Sequence, residues 1–164
     1  MNKTITEIYR KCDLKISDLN VEPESQEYNA CQFQLNGQKI ISRTAKITPK
    51  KVGQFVTFWN RDLKGITQPF SETDNFHYYT INVNKENHMG QFVFPKSILI
   101  ANALVTTQKK DGKRGFRVYP SWDIPTSKQA QKTQQWQLEY FFEIKETLDL
   151  ERIKILYKKQ TNGI

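Results

Sequence analysis

The sequence predicts a single α/β domain of mixed α+β type with a central mixed sheet, and three observations predict it. Hydrophobic residues recur at helical spacing in some stretches and alternate singly in others, and the two patterns interleave along the chain. No linker-like run divides the 164 residues, so one domain is expected over 1–164, within the usual range of about 100 to 200 residues. Ten Phe, seven Tyr and three Trp supply enough large apolar surface for one core, which excludes an intrinsically disordered chain.

The elements follow in order. Ile5, Ile8 and Tyr9 sit at helical spacing and predict a short amphipathic helix over 3–12, followed by a polar, acidic loop through Glu27. In YNACQFQLNGQKIISRTAK, the Asn36-Gly37 pair predicts a two-residue hairpin turn of type I′, because both residues tolerate positive φ. Cys31, Phe33 and Leu35 then alternate toward one face, and the second strand ends near Lys46. Thr48 followed by Pro49 reads as a helix start: a hydroxyl caps free N–H groups and proline suits the first helical position. Ile47 and Val52 would staple that helix, which would run to about Asn60 and complete a helix-hairpin-helix opening.

Beyond a turn-rich stretch with Pro69, NFHYYTINV and GQFVFP read as strands and PKSILIAN as a short helix begun by Pro95. GKRGFRVYPSW reads as a glycine-flanked strand. Thr126 with Gln129 forms a capping-box pattern for a helix through about Ile144, and a last helix or strand is expected near 149–158. The tetrapeptide Gly-Gln-Phe-Val occurs at 53–56 and at 90–93, with different flanks, and reads as coincidence.

Composition excludes several classes of function. MNKTITEIYRKC lacks the apolar region of a signal peptide and no window reaches a membrane-spanning length, so a cytoplasmic protein with no membrane association is expected. Cys12 and Cys31 are too few and too far apart for a zinc site and read as packing residues; His77 and His88 are lone histidines. No metal and no small-molecule cofactor is expected. The net charge of +8 is unevenly placed: −2 over residues 1–35, +6 over 39–64, −1 over 65–107, +5 over 108–132 and 0 thereafter. Such clustering points to an anionic partner, chiefly nucleic acid.

The first cluster is Arg43, Lys46, Lys50 and Lys51. Lysines at the second and third positions of a helix face the positive end of its dipole, at a cost of roughly 0.3 to 1 kcal/mol each, so a bound phosphate would make their placement favourable. Solvated surface lysine is the competing account. The second cluster is Lys109, Lys110, Lys113, Arg114 and Arg117, interleaved with Phe116, Tyr119 and Trp122. Cations neutralise phosphates while exposed rings stack on bases, which favours unpaired strands, although these aromatics could equally face the core. Gln129, Lys132, Thr133, Trp136 and Gln137 fall within two helical turns and could line a groove.

The blocks RTAKITPKKVGQFVTFW, GQFVFPKS, GKRGFRVYPSWD and QAQKTQQWQ together resemble the MepB family, small proteins that accompany a multidrug efflux pump and its repressor. The resemblance spans most of the chain. It implies a fold similar to the PD-(D/E)XK nucleases, an association with nucleic acid and a link to drug response. In active nucleases of that kind, a carboxylate two residues before a lysine joins an upstream Asp or Glu to hold a divalent cation that activates water. Here the tripeptide is Thr44-Ala45-Lys46, so that carboxylate is missing, and Glu22, Glu24 and Glu27 could supply only the upstream one.

The expected protein therefore binds nucleic acid without cutting it, preferring single-stranded DNA or RNA over duplex DNA. Arg43, Lys46, Lys50 and Lys51 would hold phosphates. Lys109, Lys110, Lys113, Arg114, Arg117 and Lys132 would extend the track, and Tyr119 or Trp122 would stack on bases. The rivals are a metal-dependent nuclease with a rearranged active site and an interaction module for an acidic protein or small anion.

Overall fold

Two faces of one sheet organise the molecule. The computed structural model describes residues 1–158. Its main sheet has six strands: β1 (Ile16–Val21), β2 (Cys31–Leu35), β3 (Gln38–Thr44), β8 (Tyr78–Lys85), β9 (His88–Pro95) and β11 (Phe141–Glu143), in the order β1-β2-β3-β8-β9-β11. Only β3 and β8 pair in parallel among these, so the sheet is mixed, as expected. Adjacent residues serve opposite faces. Ile40, Tyr78 and Val93 pack with one apolar cluster, and Ile41, Tyr79, Phe92 and Phe94 with the other.

Helices α1 (Lys3–Lys11) and α4 (Leu150–Lys158) cover the first face. Ile5, Ile8 and Tyr9 are the buried residues of α1, whose start is capped by Asn2 Oδ1 accepting from Thr4 N at 2.7 Å. The two helices meet where Tyr9 and Tyr157 share a hydrogen bond of 2.7 Å, and the Tyr157 hydroxyl donates to Gln91 Oε1 at 2.5 Å. Burial pushes the Tyr9 phenol up to about 12.

The opposite face carries short elements: β4 (Lys46–Ile47), β5 (Gln54–Thr57), β6 (Trp59–Arg61), β7 (Thr67–Pro69), α2 (Lys96–Ala101), β10 (Gly115–Val118) and α3 (Lys128–Leu138). A three-stranded sheet of order β10-β5-β4 packs over the core. The Asn36-Gly37 turn has φ of +50° and +82°, as a type I′ hairpin requires. Both cysteines are free and buried, and no helix of the described residues is long and apolar enough to cross a membrane.

Three local expectations are corrected. No helix follows Thr48; residues 48–53 are a loop, and 54–61 form β5 and β6. Ile47 and Val52 are 54% and 42% exposed, so no staple forms. Gly53 has φ of +86°, which ends any helix there and turns the chain into β5. The acidic loop before residue 27 contains the edge strand β1, exposed at five of six positions. Finally, α3 is capped by Ser127, whose Oγ accepts from Ala130 N at 3.1 Å, and it stops at Leu138 because Phe141–Glu143 pair with β9.

Gly53 also packs closely. A Cβ there would stand 2.7 Å from the Tyr119 ring and 2.8 Å from the Val118 carbonyl oxygen. Gly53→Ala is therefore expected to cost about 2 to 4 kcal/mol from left-handed backbone strain plus overpacking. Urea denaturation checks this, and a loss below about 0.5 kcal/mol would refute it.

Candidate nucleic-acid interface

Antiparallel pairing places directly opposed residues on the same face of a sheet. In β4-β5-β10, Lys46 opposes Phe55 and Phe55 opposes Arg117, so the three form a row across the sheet. Their neighbours Val56 and Val118 are fully buried on the core side, which leaves the row on the outer side. Phe55 is thus a half-buried ring between two cations. It was not among the expected site residues, because a helix was read across it. The signal that could have found it is the alternation of Gln54, Val56 and Phe58, all buried.

Arg117 gives this surface its shape. Its Nε donates to Val52 O at 3.1 Å, and its Nη2 donates to Thr48 Oγ1 at 2.5 Å, Lys51 O at 3.2 Å and Gly53 O at 3.3 Å. All four acceptors are neutral, so the guanidinium fastens the 48–53 loop while keeping its positive charge. Lys50 and Lys51 are exposed on that loop. They therefore sit in a clamped turn and feel no helix dipole. Lys46 is exposed as well, its Nζ 4.8 Å from the centre of the Tyr28 ring.

Arg43 does not reach this surface. It is 1% exposed, its Nη2 lies 2.6 Å from Glu22 Oε2, and its Nη1 donates to Ser42 O at 3.0 Å. β3 is buried on both faces at this point, so a charge there must find an internal partner. Glu22 also accepts from Gln32 Nε2 at 2.6 Å. Glu24 pairs with Arg61 at 2.7 Å, and the hydrogen bond from Arg61 holds its carboxyl below the usual range. Two of the three carboxylates that could serve a cation are thus held by arginines. Thr44 instead lines a polar cleft of about 360 Å³ with Ser42, Asn82 and Asn84. Among the described residues no group of three or more His, Cys, Asp or Glu could hold a metal ion, so the donor set does not fit a divalent centre.

The second basic cluster is largely at the surface. Lys109, Lys110, Lys113 and Arg114 are exposed, Arg114 Nη2 donating to Thr67 O at 3.2 Å, and Lys132 is exposed on α3. Trp122 is half-buried: it stacks on His88 at 5.0 Å between ring centres and meets Phe141 edge-on. Tyr119 is half-buried against Gly53. Two clefts flank the row. One of about 540 Å³ runs between the 48–53 loop and residues 122–124 and includes Lys50, Lys51, Lys85 and Trp122. The other, about 480 Å³, lies between β10 and α3 and includes Lys113, Phe116, Gln129, Thr133 and Trp136. Of the α3 residues read as a possible groove, Gln129, Thr133, Trp136 and Gln137 line this cleft and Lys132 does not.

Gln137, wholly buried, closes the outer edge of β10: its Oε1 accepts from Tyr119 N at 2.9 Å and its Nε2 donates to Arg117 O at 3.0 Å.

The family model described as MepB-like matches residues 22–143. The crystal structure of MepB matches with a TM-score of 0.79 and 35% identity, over 90% of this chain and 100% of that one. The structure of a bacterial homing endonuclease matches with a TM-score of 0.47 and 13% identity, over 82% of this chain and 84% of that one. No curated protein matches.

Proposed function

The chain belongs to the MepB-like family, and on that premise we propose that it binds single-stranded nucleic acid, DNA or RNA, holds duplex DNA more weakly, and does not cut either. The observation that carries this reading is the row Lys46, Phe55 and Arg117 on the outer face of one sheet, continued by Lys50 and Lys51 on the loop that Arg117 fastens. Cations two strands apart suit a phosphate backbone, and a half-exposed ring between them suits an unpaired base. Lys46, Lys50 and Lys51 hold phosphates; Lys113 and Arg114, with Lys109 and Lys110, extend the track; Arg117 positions the loop and adds to the field. A duplex gains less, because its bases are already stacked on their neighbours.

Absence of catalysis is supported by Thr44 at the position where a nuclease needs a carboxylate, and by the Arg43 guanidinium on Glu22. The link to drug response and a cytoplasmic setting belong to the same proposal and rest on the resemblance alone.

Fluorescence anisotropy with single-stranded DNA, RNA and duplex DNA of equal length, with and without Mg²⁺ or Mn²⁺, tests it. The expected result is tighter binding of both single strands than of the duplex, with every strand intact after incubation. Preference for the duplex, or metal-dependent cleavage abolished by Lys46→Ala, would overturn it.

A further inference from the structure

The cleft between β10 and α3 opens beside the Lys46–Phe55–Arg117 row, Arg117 bordering both, and its walls differ in kind. Trp136 and Phe116 are half-buried there, their rings 5.2 Å and 6.4 Å from that of Phe94 in the core. Gln129 and Thr133 stand one helical turn apart on the same face of α3 as Trp136, and Lys113 is exposed at the cleft. Most polar groups of the cleft are committed. Gln137 is held by the edge of β10, Ser127 Oγ caps the helix, and Thr133 Oγ1 donates to Gln129 O at 3.0 Å. The Gln129 side-chain amide and the Lys113 ammonium carry no hydrogen bond or ion pair to another described residue.

We propose that this cleft is a nucleotide subsite that takes one unpaired base of the bound strand, a claim that rests on the strand-binding reading above. The volume, about 480 Å³, lies in the range of small-molecule sites. The base lies against Trp136 and Phe116, Gln129 offers both a donor and an acceptor to its edge, and Lys113 meets its phosphate. A base within a duplex has neither the free face nor the free edge to enter.

The test fills the cleft while leaving the basic row untouched. Thr133→Phe is compared with wild type for a dT strand of about 12 nucleotides and for thymidine 5′-monophosphate, read by quenching of tryptophan emission. Wild type is expected to show quenching by the mononucleotide and none by inorganic phosphate. Thr133→Phe should lose that quenching and bind the strand about tenfold more weakly. Gln129→Ala, at an exposed position of α3, should weaken both in the same direction while leaving the urea midpoint unchanged. Equal strand affinity and equal quenching for wild type and Thr133→Phe, with binding still lost on Lys50→Ala and Lys51→Ala, would overturn the subsite and leave the strand-binding reading standing. Failure of wild type to bind any strand would overturn both.

Discussion

Arg43→Ala is expected to lower folding stability by about 3 kcal/mol, the cost of stranding a largely buried carboxylate. The guanidinium is 1% exposed and Glu22 is its only ion-pair partner among the described residues. Glu22 keeps some contact with water, its side chain being 16% exposed, which softens the penalty relative to a fully enclosed pair. Removing both charges should cost less than the two single losses together: in Arg43→Met with Glu22→Gln, no ion is left without its partner and much of the volume is kept. Urea denaturation of the cycle measures this. A loss below about 1 kcal/mol for Arg43→Ala would mean that the pair contributes little. The variant should leave strand affinity unchanged once stability is allowed for, since Arg43 meets no phosphate.

Strand affinity is expected to fall about a hundredfold between roughly 50 and 200 mM salt, because about five cations, Lys46, Lys50, Lys51, Lys113 and Arg114, release counterions at about 0.7 each, for a slope near −3.5. Each lysine-to-alanine change at positions 46, 50 or 51 should reduce that slope by about 0.7 and leave stability unaltered, as these side chains project from a loop and a short strand. Phe55→Ala should weaken binding about tenfold at every salt concentration with no change in slope, because stacking releases no ions. A flat salt dependence, or a slope that moves with Phe55, would contradict this division of labour.

Much of the scaffold was legible because local and tertiary preferences agree. Asn36-Gly37 can form its turn without help, and the runs over β8 and β9 are apolar on both faces because both faces are covered. Where they disagree, the sequence misleads. Thr48-Pro49 is a good helix start locally, yet Val56 and Phe58 can both reach the core only with a period of two, and Gly53 supplies the turn that a strand needs. The same tetrapeptide then enters a strand in both of its copies. β1 was invisible for another reason: an edge strand exposed at five positions has no alternation to display.

For the site, counting charge located both basic segments but could not tell a solvated lysine from a buried arginine. Lys46, Lys50, Lys51, Lys109, Lys110, Lys113, Arg114 and Lys132 are at the surface, whereas Arg43 lies on a strand enclosed on both sides. Phe55 was missed together with the strand that carries it.

The Gln137 amide has a consequence for self-association. A side-chain amide can present its carbonyl oxygen and one of its two N–H groups in nearly the arrangement of a peptide group, so Gln137 stands in for the missing neighbour of β10 at Arg117 and Tyr119. An open edge beside a sheet that displays Phe55 would be a template on which a second copy of the chain could add its own strand. With those two backbone groups occupied by a buried side chain, that edge resists recruitment into a continuous intermolecular sheet. Phe55 can then stay half-buried on the outer face of a sheet whose β10 edge is already occupied at Arg117 and Tyr119.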